Sequence, residues 1–180
     1  MRIIAGKNRG LRLAAVGKGD AGAHLRPTTD RVRESLFNIL NNQIDFGDIQ
    51  VLDLFAGTGA LGLETLSRGA THCTFVENGR VGQALIRDNI KLTRQTDAAT
   101  LLRCNATKLP KGSPCDLIFL DPPYGKNLGN AALICAQENG WVAPDALIVW
   151  EEAQAMACPN FTVIDTRKFG GTIVTLLTPT

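Results

Sequence analysis

Val51-Leu-Asp-Leu-Phe-Ala-Gly-Thr-Gly-Ala-Leu-Gly62 is the stretch on which the fold turns. Residues 51–54 read as a short strand, and Gly57, Gly59 and Gly62 form a G-x-G-x-x-G pattern. Residues 60–68 then read as a helix stopped by Gly69. Glycines in such a strand-to-helix turn permit a tight bend and let the backbone approach a ligand closely. Working outward, residues 73–76 predict a strand, 80–92 a helix, 100–103 and 117–120 strands, 128–139 a helix and 146–150 a strand. Upstream, Thr28, Thr29 or Asp30 can cap a helix running to about Leu40, with Val32, Leu36, Phe37 and Leu40 on one face. Residues 161–165 and 172–177 read as two strands joined through Gly170-Gly171. The alternation implies a three-layer α/β sandwich around a mostly parallel seven-stranded sheet, closed by an antiparallel C-terminal hairpin. Residues 2–5 and 11–16 predict a small N-terminal β-hairpin around Gly6-Lys-Asn-Arg-Gly10, followed by a Gly-rich loop from Gly17 to Pro27. The expected organisation is one domain over 1–180: a basic hairpin-and-loop appendage over 1–27 and a catalytic core over 28–180.

Composition narrows the functional class. At 180 residues and 44% hydrophobic content the chain can bury a core of its own, which excludes intrinsic disorder. No window approaches the roughly 18 apolar residues of a membrane span, and no signal-peptide pattern follows Met1. The five cysteines are widely spaced and never in a C-x-x-C pair, and His24 and His72 are the only histidines. Neither a disulfide framework nor a metal site is expected, and the expected compartment is the cytoplasm. The cysteines, Trp141 and Trp150 read as core residues. Charge is unevenly distributed. Residues 1–33 carry eight Lys/Arg against Asp20 and Asp30, a net of +6, whereas residues 34–180 hold eleven bases against fifteen acids, a net of −4. An acidic body with a basic arm suits a nucleic-acid binder, with Lys7, Arg9 and Arg12 placed to neutralise phosphates.

Two motifs carry chemistry. Glu77 lies twenty residues past Gly57, at the end of the second core strand, where a carboxylate can accept both hydroxyls of a ribose. The glycine pattern is shared by dinucleotide and S-adenosylmethionine (SAM) sites. Asp53, just before the loop, favours SAM, because a carboxylate there attracts the ammonium and sulfonium charges. Asn105-Ala106, after the third strand, can meet an adenine edge, although Asn there is also a turn former. The second motif is Asp121-Pro-Pro-Tyr124, which ends the apolar run 117–120 abruptly. It suits methyl transfer to an exocyclic amine of a nucleobase, whose lone pair is delocalised into the ring. Hydrogen bonds from that amine to Asp121 and to the Pro122 carbonyl hold it pyramidal and stabilise the positive charge that develops. Tyr124 offers a flat face to a base drawn from its stack. Residues 121–127 hold no cysteine, as ring-carbon methylation would require.

Taken together, Met1-Arg-Ile-Ile-Ala-Gly-Lys-Asn-Arg-Gly10, Arg26-Pro-Thr-Thr-Asp-Arg-Val-Arg-Glu-Ser-Leu-Phe37, Asp53 to Glu64, Ser67-Arg-Gly-Ala70 and Asp121 to Tyr124 resemble one family. These are the bacterial small-subunit ribosomal RNA guanine-N2 methyltransferases of the RsmD type. The resemblance covers almost the whole chain and implies a Rossmann-like class I methyltransferase fold using SAM. It implies that Asp53, Phe55, Gly57, Gly59, Glu77, Asn78, Asn105 and Ala106 hold the cofactor, joined by Thr28 and Arg33. Asp121, Pro122, Pro123 and Tyr124 would hold the guanine amine, and Arg26 and Arg31 would line the RNA entrance with Lys7, Arg9 and Arg12. The implied partner is 16S rRNA in an assembled or assembling small subunit, met by a monomer without metal or membrane. Two departures stand out: Asn8 replaces the family's usual aromatic, and Asn78-Gly79 follows Glu77, which leaves the ribose contact to Glu77. Alternatives are a DNA adenine-N6 methyltransferase and a non-catalytic RNA-binding assembly factor that has kept the fold.

Overall fold

The computed structural model describes residues 1–15 and 29–180. Seven strands form one sheet: β1 (Gln50–Leu54), β2 (His72–Val76), β3 (Ala99–Leu102), β4 (Cys115–Leu120), β5 (Val142–Glu152), β6 (Phe161–Phe169) and β7 (Thr172–Pro179), in the order β3-β2-β1-β4-β5-β7-β6. The first five run parallel, while β7 pairs antiparallel with both β5 and β6. Helices α1 (Asp30–Leu40), α2 (Ala60–Arg68), α3 (Arg80–Leu92) and α4 (Leu128–Glu138) cover the faces. The strand order reverses between β1 and β4, so a crevice opens at their carboxyl ends.

Alternation along the central strands builds both cores. Val51, Leu117, Phe119, Leu147 and Val149 point to a layer containing Phe37 of α1, Leu63 of α2 and Ile86 of α3. Their neighbours Leu52, Leu54, Ile118, Leu120, Ile148 and Trp150 point the other way, onto Ala132 and Leu133 of α4. The oxygen Oγ1 of Thr29 caps α1 by accepting the Val32 N–H at 3.3 Å.

Several strands run past the lengths read from sequence. β5 begins at Val142 rather than 146: Val142 pairs with Cys115, and the register shifts before Leu147 pairs with Leu117. β6 continues to Phe169 although most of its residues face solvent, since pairing with β7 depends on backbone bonds and not on apolar side chains.

The N-terminal hairpin differs more. Instead of two strands over 2–5 and 11–16, a single bridge joins Arg2 to Arg12, flanked by the Ile3 N–H to Leu11 carbonyl bond. Beyond Ile3 the chain turns to Glu64 of α2, fully buried, whose carboxylate accepts the N–H groups of Ile4 (2.8 Å) and Ala5 (2.9 Å), the latter on the side a continued ladder would use. Arg68 closes the charge with an Nε donation of 2.9 Å to the same carboxylate. At the turn Gly6 has φ +78°, and a Cβ would lie 1.8 Å from the Ser67 carbonyl, so only glycine lets the turn dock there. Ile3 and Leu13 complete the core cluster under α2 and α3. Residues 1–15 are thus a docked layer, not a free arm; the 16–28 segment lies outside the described residues.

Candidate active site

The glycine loop connects β1 to α2 at the crevice. Asp53 sits at 3% exposure, and its Oδ2 accepts the Gly62 N–H at 3.0 Å. Burial, with a smaller push from the charge of Glu77, raises its carboxyl to about 8 against the opposing Gly62 bond. Such a buried acid with no cation beside it among its described hydrogen-bond and ion-pair partners is what a cationic ligand would complete. Phe55 follows with φ 60°, a costly conformation for a bulky residue and one that collects at functional loops. Glu77 directly follows β2 and grips the loop: Oε2 accepts from the Gly57 N–H (2.9 Å) and Oε1 from the Gly79 N–H (2.7 Å). Each oxygen keeps a lone pair for a further donor such as a ribose hydroxyl. Gly62 serves packing, since a Cβ would stand 2.5 Å from both Cys73 and Phe75.

Across the crevice, Asp121 follows β4, whose Phe119 is in register with Asp53. Burial comes first in pushing its carboxyl well above the usual range, followed by the charges of Glu151, Asp53 and Glu152. Pro122 is buried and Pro123 exposed. The Tyr124 hydroxyl donates to Oε1 of Glu151 (3.2 Å) and is bonded to Oγ1 of Thr172 (3.0 Å), which ties the loop to β5 and β7. The arrangement is therefore a crevice of buried carboxylates, suited to positive charge on a ligand and to developing positive charge on a reacting nitrogen.

Not every residue singled out from sequence reaches this crevice. Asn78 is exposed beside Glu77, and Asn105 uses its Oδ1 to accept from both the N–H and the hydroxyl of Thr107 (3.0 Å each), the turn-forming role. Ala106 is buried in the α4-side core. Arg33 is fully buried: its Nη2 donates to the Arg2 carbonyl and to Asp30 (2.7 Å), while Nε and Nη1 have no partner among the described residues. Arg31 is exposed on α1. Arg12 pairs across the hairpin with Arg2, but Lys7 and Arg9 lie at its tip, bonded through neighbouring backbone to Ser67 at the end of α2. Thr71, just beyond α2, donates to the Ile49 carbonyl before β1, so the tip sits at the opposite, amino edge of the sheet. Thr28 and Arg26 lie outside the described residues.

Three contributors were missed from sequence. Gly82 stands inside α3, where a Cβ would fall 2.8 Å from the Glu77 side chain and 2.9 Å from the Gly57 carbonyl. A glycine inside a helix costs about 1 kcal/mol, and that cost is the available signal. Glu151 and Thr172 announce themselves only through contacts distant in sequence.

Sheet order, glycine loop and acidic crevice together define a Rossmann-like class I methyltransferase. The chain belongs to the family described as Conserved hypothetical protein 95, the RsmD-type methyltransferases, whose model matches residues 1–178. It is similar to ribosomal RNA small subunit methyltransferase D of Escherichia coli strain K12, at 43% identity over 163 residues covering 89% of this chain and 78% of that protein. The protein of that name in Haemophilus influenzae is 38% identical over 178 residues, covering 94% of this chain and 89% of its own. Among solved structures, yhhF of Escherichia coli, provisionally named a methyltransferase, superposes with TM-score 0.85 at 37% identity, covering 99% of this chain and 97% of that one. Among the described residues, no helix is long and apolar enough to cross a membrane.

Proposed function

We propose that this protein transfers a methyl group from SAM to the exocyclic N2 amine of a guanine in 16S rRNA, acting as a monomer on an assembled or assembling small subunit. One observation carries the reading: Asp121-Pro122 and the Asp53 glycine loop flank the same switch-point crevice on adjacent, in-register strands. The names of the relatives favour small-subunit rRNA as the acceptor; guanine and its N2 follow from the family resemblance and the amine chemistry of the Asp-Pro-Pro-Tyr loop.

Bound SAM supplies a methyl on cationic sulfur, the S–C bond breaking as the N–C bond forms, to leave a neutral thioether. Asp53, buried with no cation among its described hydrogen-bond and ion-pair partners, fits the positive end of that cofactor, and Glu77 fits its ribose, with Gly57 and Gly59 giving backbone access. Asp121 and the Pro122 carbonyl accept the two N–H bonds of the guanine amine, aim its lone pair and meet the charge that grows on nitrogen. The amine then releases one proton to solvent, and Asp121 acts through its electrostatic stabilisation of the charge on nitrogen more than by abstracting that proton. Tyr124 presents its ring to the base. The test is transfer of labelled methyl from SAM to small subunits lacking the modification, followed by nucleoside analysis. N2-methylguanosine is expected. N6-methyladenosine would move the chemistry to adenine, and no transfer would leave a binding protein with a methyltransferase fold.

A further inference from the structure

The amino edge of the sheet carries a site of its own. Lys7, Asn8, Arg9 and Leu11 of the hairpin, with Leu92 and Arg94 beyond α3, line a surface pocket of about 370 Å³. Its two walls come from segments more than eighty residues apart and are braced together. Asn8 donates from Nδ2 to the Thr93 carbonyl (3.2 Å), and its Oδ1 accepts from Nε2 of Gln95 (3.2 Å). These bonds fix the tip while Lys7, Arg9 and Arg94 stay exposed. No carboxylate lines the pocket, and among the described residues none of the three cations forms an ion pair. Leu92 is 49% exposed, large for an apolar side chain, and with Leu11 it gives the pocket an apolar wall. Arg94, two residues past the end of α3, stands at φ 55° in the left-handed region.

Resting on the rRNA reading above, the geometry points to this pocket as a second docking site for the RNA substrate, seating one nucleotide with its phosphate among Lys7, Arg9 and Arg94 and its sugar or base against Leu11 and Leu92. Three unpaired cations select a polyanion, and a phosphodiester with an apolar ribose face matches both halves of the lining. The site lies one helix length from the chemistry. α3 begins beside Glu77 and ends at Leu92, and its thirteen residues span about 20 Å. Arg12, exposed and bridged to Arg2, adds a further cation on the hairpin. The RNA would thus be held across the α2–α3 face as well as at the crevice, so that a guanine is presented only when the surrounding fold spans both points.

The experiment measures methyl transfer to unmodified small subunits across a salt series, with SAM affinity measured separately. Arg94→Asn removes the charge with a residue that tolerates the left-handed backbone; Arg94→Lys restores the charge, and Leu92→Asp places a carboxylate in the pocket. Arg94→Asn is expected to raise KM for the subunit several-fold and to flatten the log KM against log salt slope by about 0.7–0.9, the share of one phosphate contact. Arg94→Lys should recover that slope, Leu92→Asp should raise KM further, and thermal unfolding and SAM affinity should match wild type. Unchanged KM and slope in Arg94→Asn and Leu92→Asp would overturn the site. A raised KM with an unchanged slope would overturn it too, since this face would then meet protein rather than phosphate. If wild type yields no N2-methylguanosine, the functional reading fails instead, and the pocket is judged by the same slopes in direct binding of 16S rRNA.

Discussion

The two edges of the sheet hold opposite charges in opposite surroundings. At the carboxyl edge, Asp53, Glu151 and Glu152 are buried around Asp121, and burial first, then the charges of Glu151, Asp53 and Glu152, raise the affinity of Asp121 for a proton. At the amino edge, Lys7, Arg9 and Arg94 stand in solvent around a pocket with leucine walls. Buried charge interacts strongly and is little screened, whereas exposed charge acts at longer range and fades with salt. The carboxyl edge therefore suits bond-making on a cationic centre and the amino edge suits capture of a polyanion. Substitutions at the first should move the rate of the chemical step, and substitutions at the second should move salt-dependent binding.

The sharpest test of that division is Asp121→Ala. It removes an acceptor that matters most as charge develops on the amine, so turnover should fall on the order of 100–1,000-fold. Subunit KM and SAM affinity should change little, because the RNA contacts and Asp53 remain. Near-normal turnover would reduce Asp121 to a turn cap. The opposite test is the triple change of Lys7, Arg9 and Arg12 to Ala. It should flatten the salt dependence of RNA binding by about two to three units of log–log slope, one contact at a time, and leave SAM affinity alone. Coincident slopes would make this face a solvated surface.

How much of this was legible in the sequence depends on whether the signal is local. The strand–glycine–helix unit at 51–62, the Thr29 cap and the Asp121 loop are encoded within a few residues of themselves, and each of the seven strands overlaps a stretch read from sequence as a strand. Charge asymmetry marked the basic segment, but not its position. The tip of the hairpin lies at the far edge from the crevice because Glu64, read as an ordinary helix residue, buries its carboxylate under Ile4 and Ala5. The family resemblance implies Arg33 at the cofactor, whereas its guanidinium bonds the Arg2 carbonyl and Asp30. The contacts of Glu64 with Ile4 and Ala5 and of Arg33 with Arg2 join residues about thirty to sixty positions apart, and no periodicity records them.

A third prediction probes the acidity of the crevice. With Asp53 raised to about 8 from 3.8, the free protein holds this carboxyl mostly protonated at pH 7. A cationic cofactor favours the ionised form, so SAM binding at pH 7 should release protons, and affinity should climb with pH until about 8 and then level off. Calorimetry in buffers of different ionisation enthalpy reads the release, which should shrink in Asp53→Asn. The same shift sets stability. Because the folded carboxyl holds its proton more tightly than the unfolded one, its contribution is present at acid pH and lost as pH rises from about 4 through about 8. Asp53→Asn should therefore gain melting temperature over wild type above pH 8, and the gap should close toward pH 4. A gap independent of pH would show that Asp53 is not held protonated.

The smallest effect is expected from Tyr124→Phe, and it separates the ring from the hydroxyl. The hydroxyl bonds Glu151 and Thr172, so its loss frees the loop from β5 and β7 but leaves the aromatic face intact. A hydrogen bond to a charged acceptor contributes about 1.5–3 kcal/mol, much of it recovered by water at this half-buried position. The expected loss in kcat/KM is accordingly below about tenfold, which corresponds to about 1.4 kcal/mol. Tyr124→Ala, lacking the ring as well, should lose clearly more if the ring carries the base. Burial first, then the charges of Glu151 and Asp121, pushes the Tyr124 hydroxyl up to about 12, against the lowering bond to Thr172. It therefore stays protonated through neutral pH, and the pH–rate profiles of wild type and Tyr124→Phe should run parallel below pH 10. A Tyr124→Phe loss as deep as that of Asp121→Ala, or a profile of different shape, would make the hydroxyl part of the chemistry and extend the working part of the carboxyl edge as far as β7.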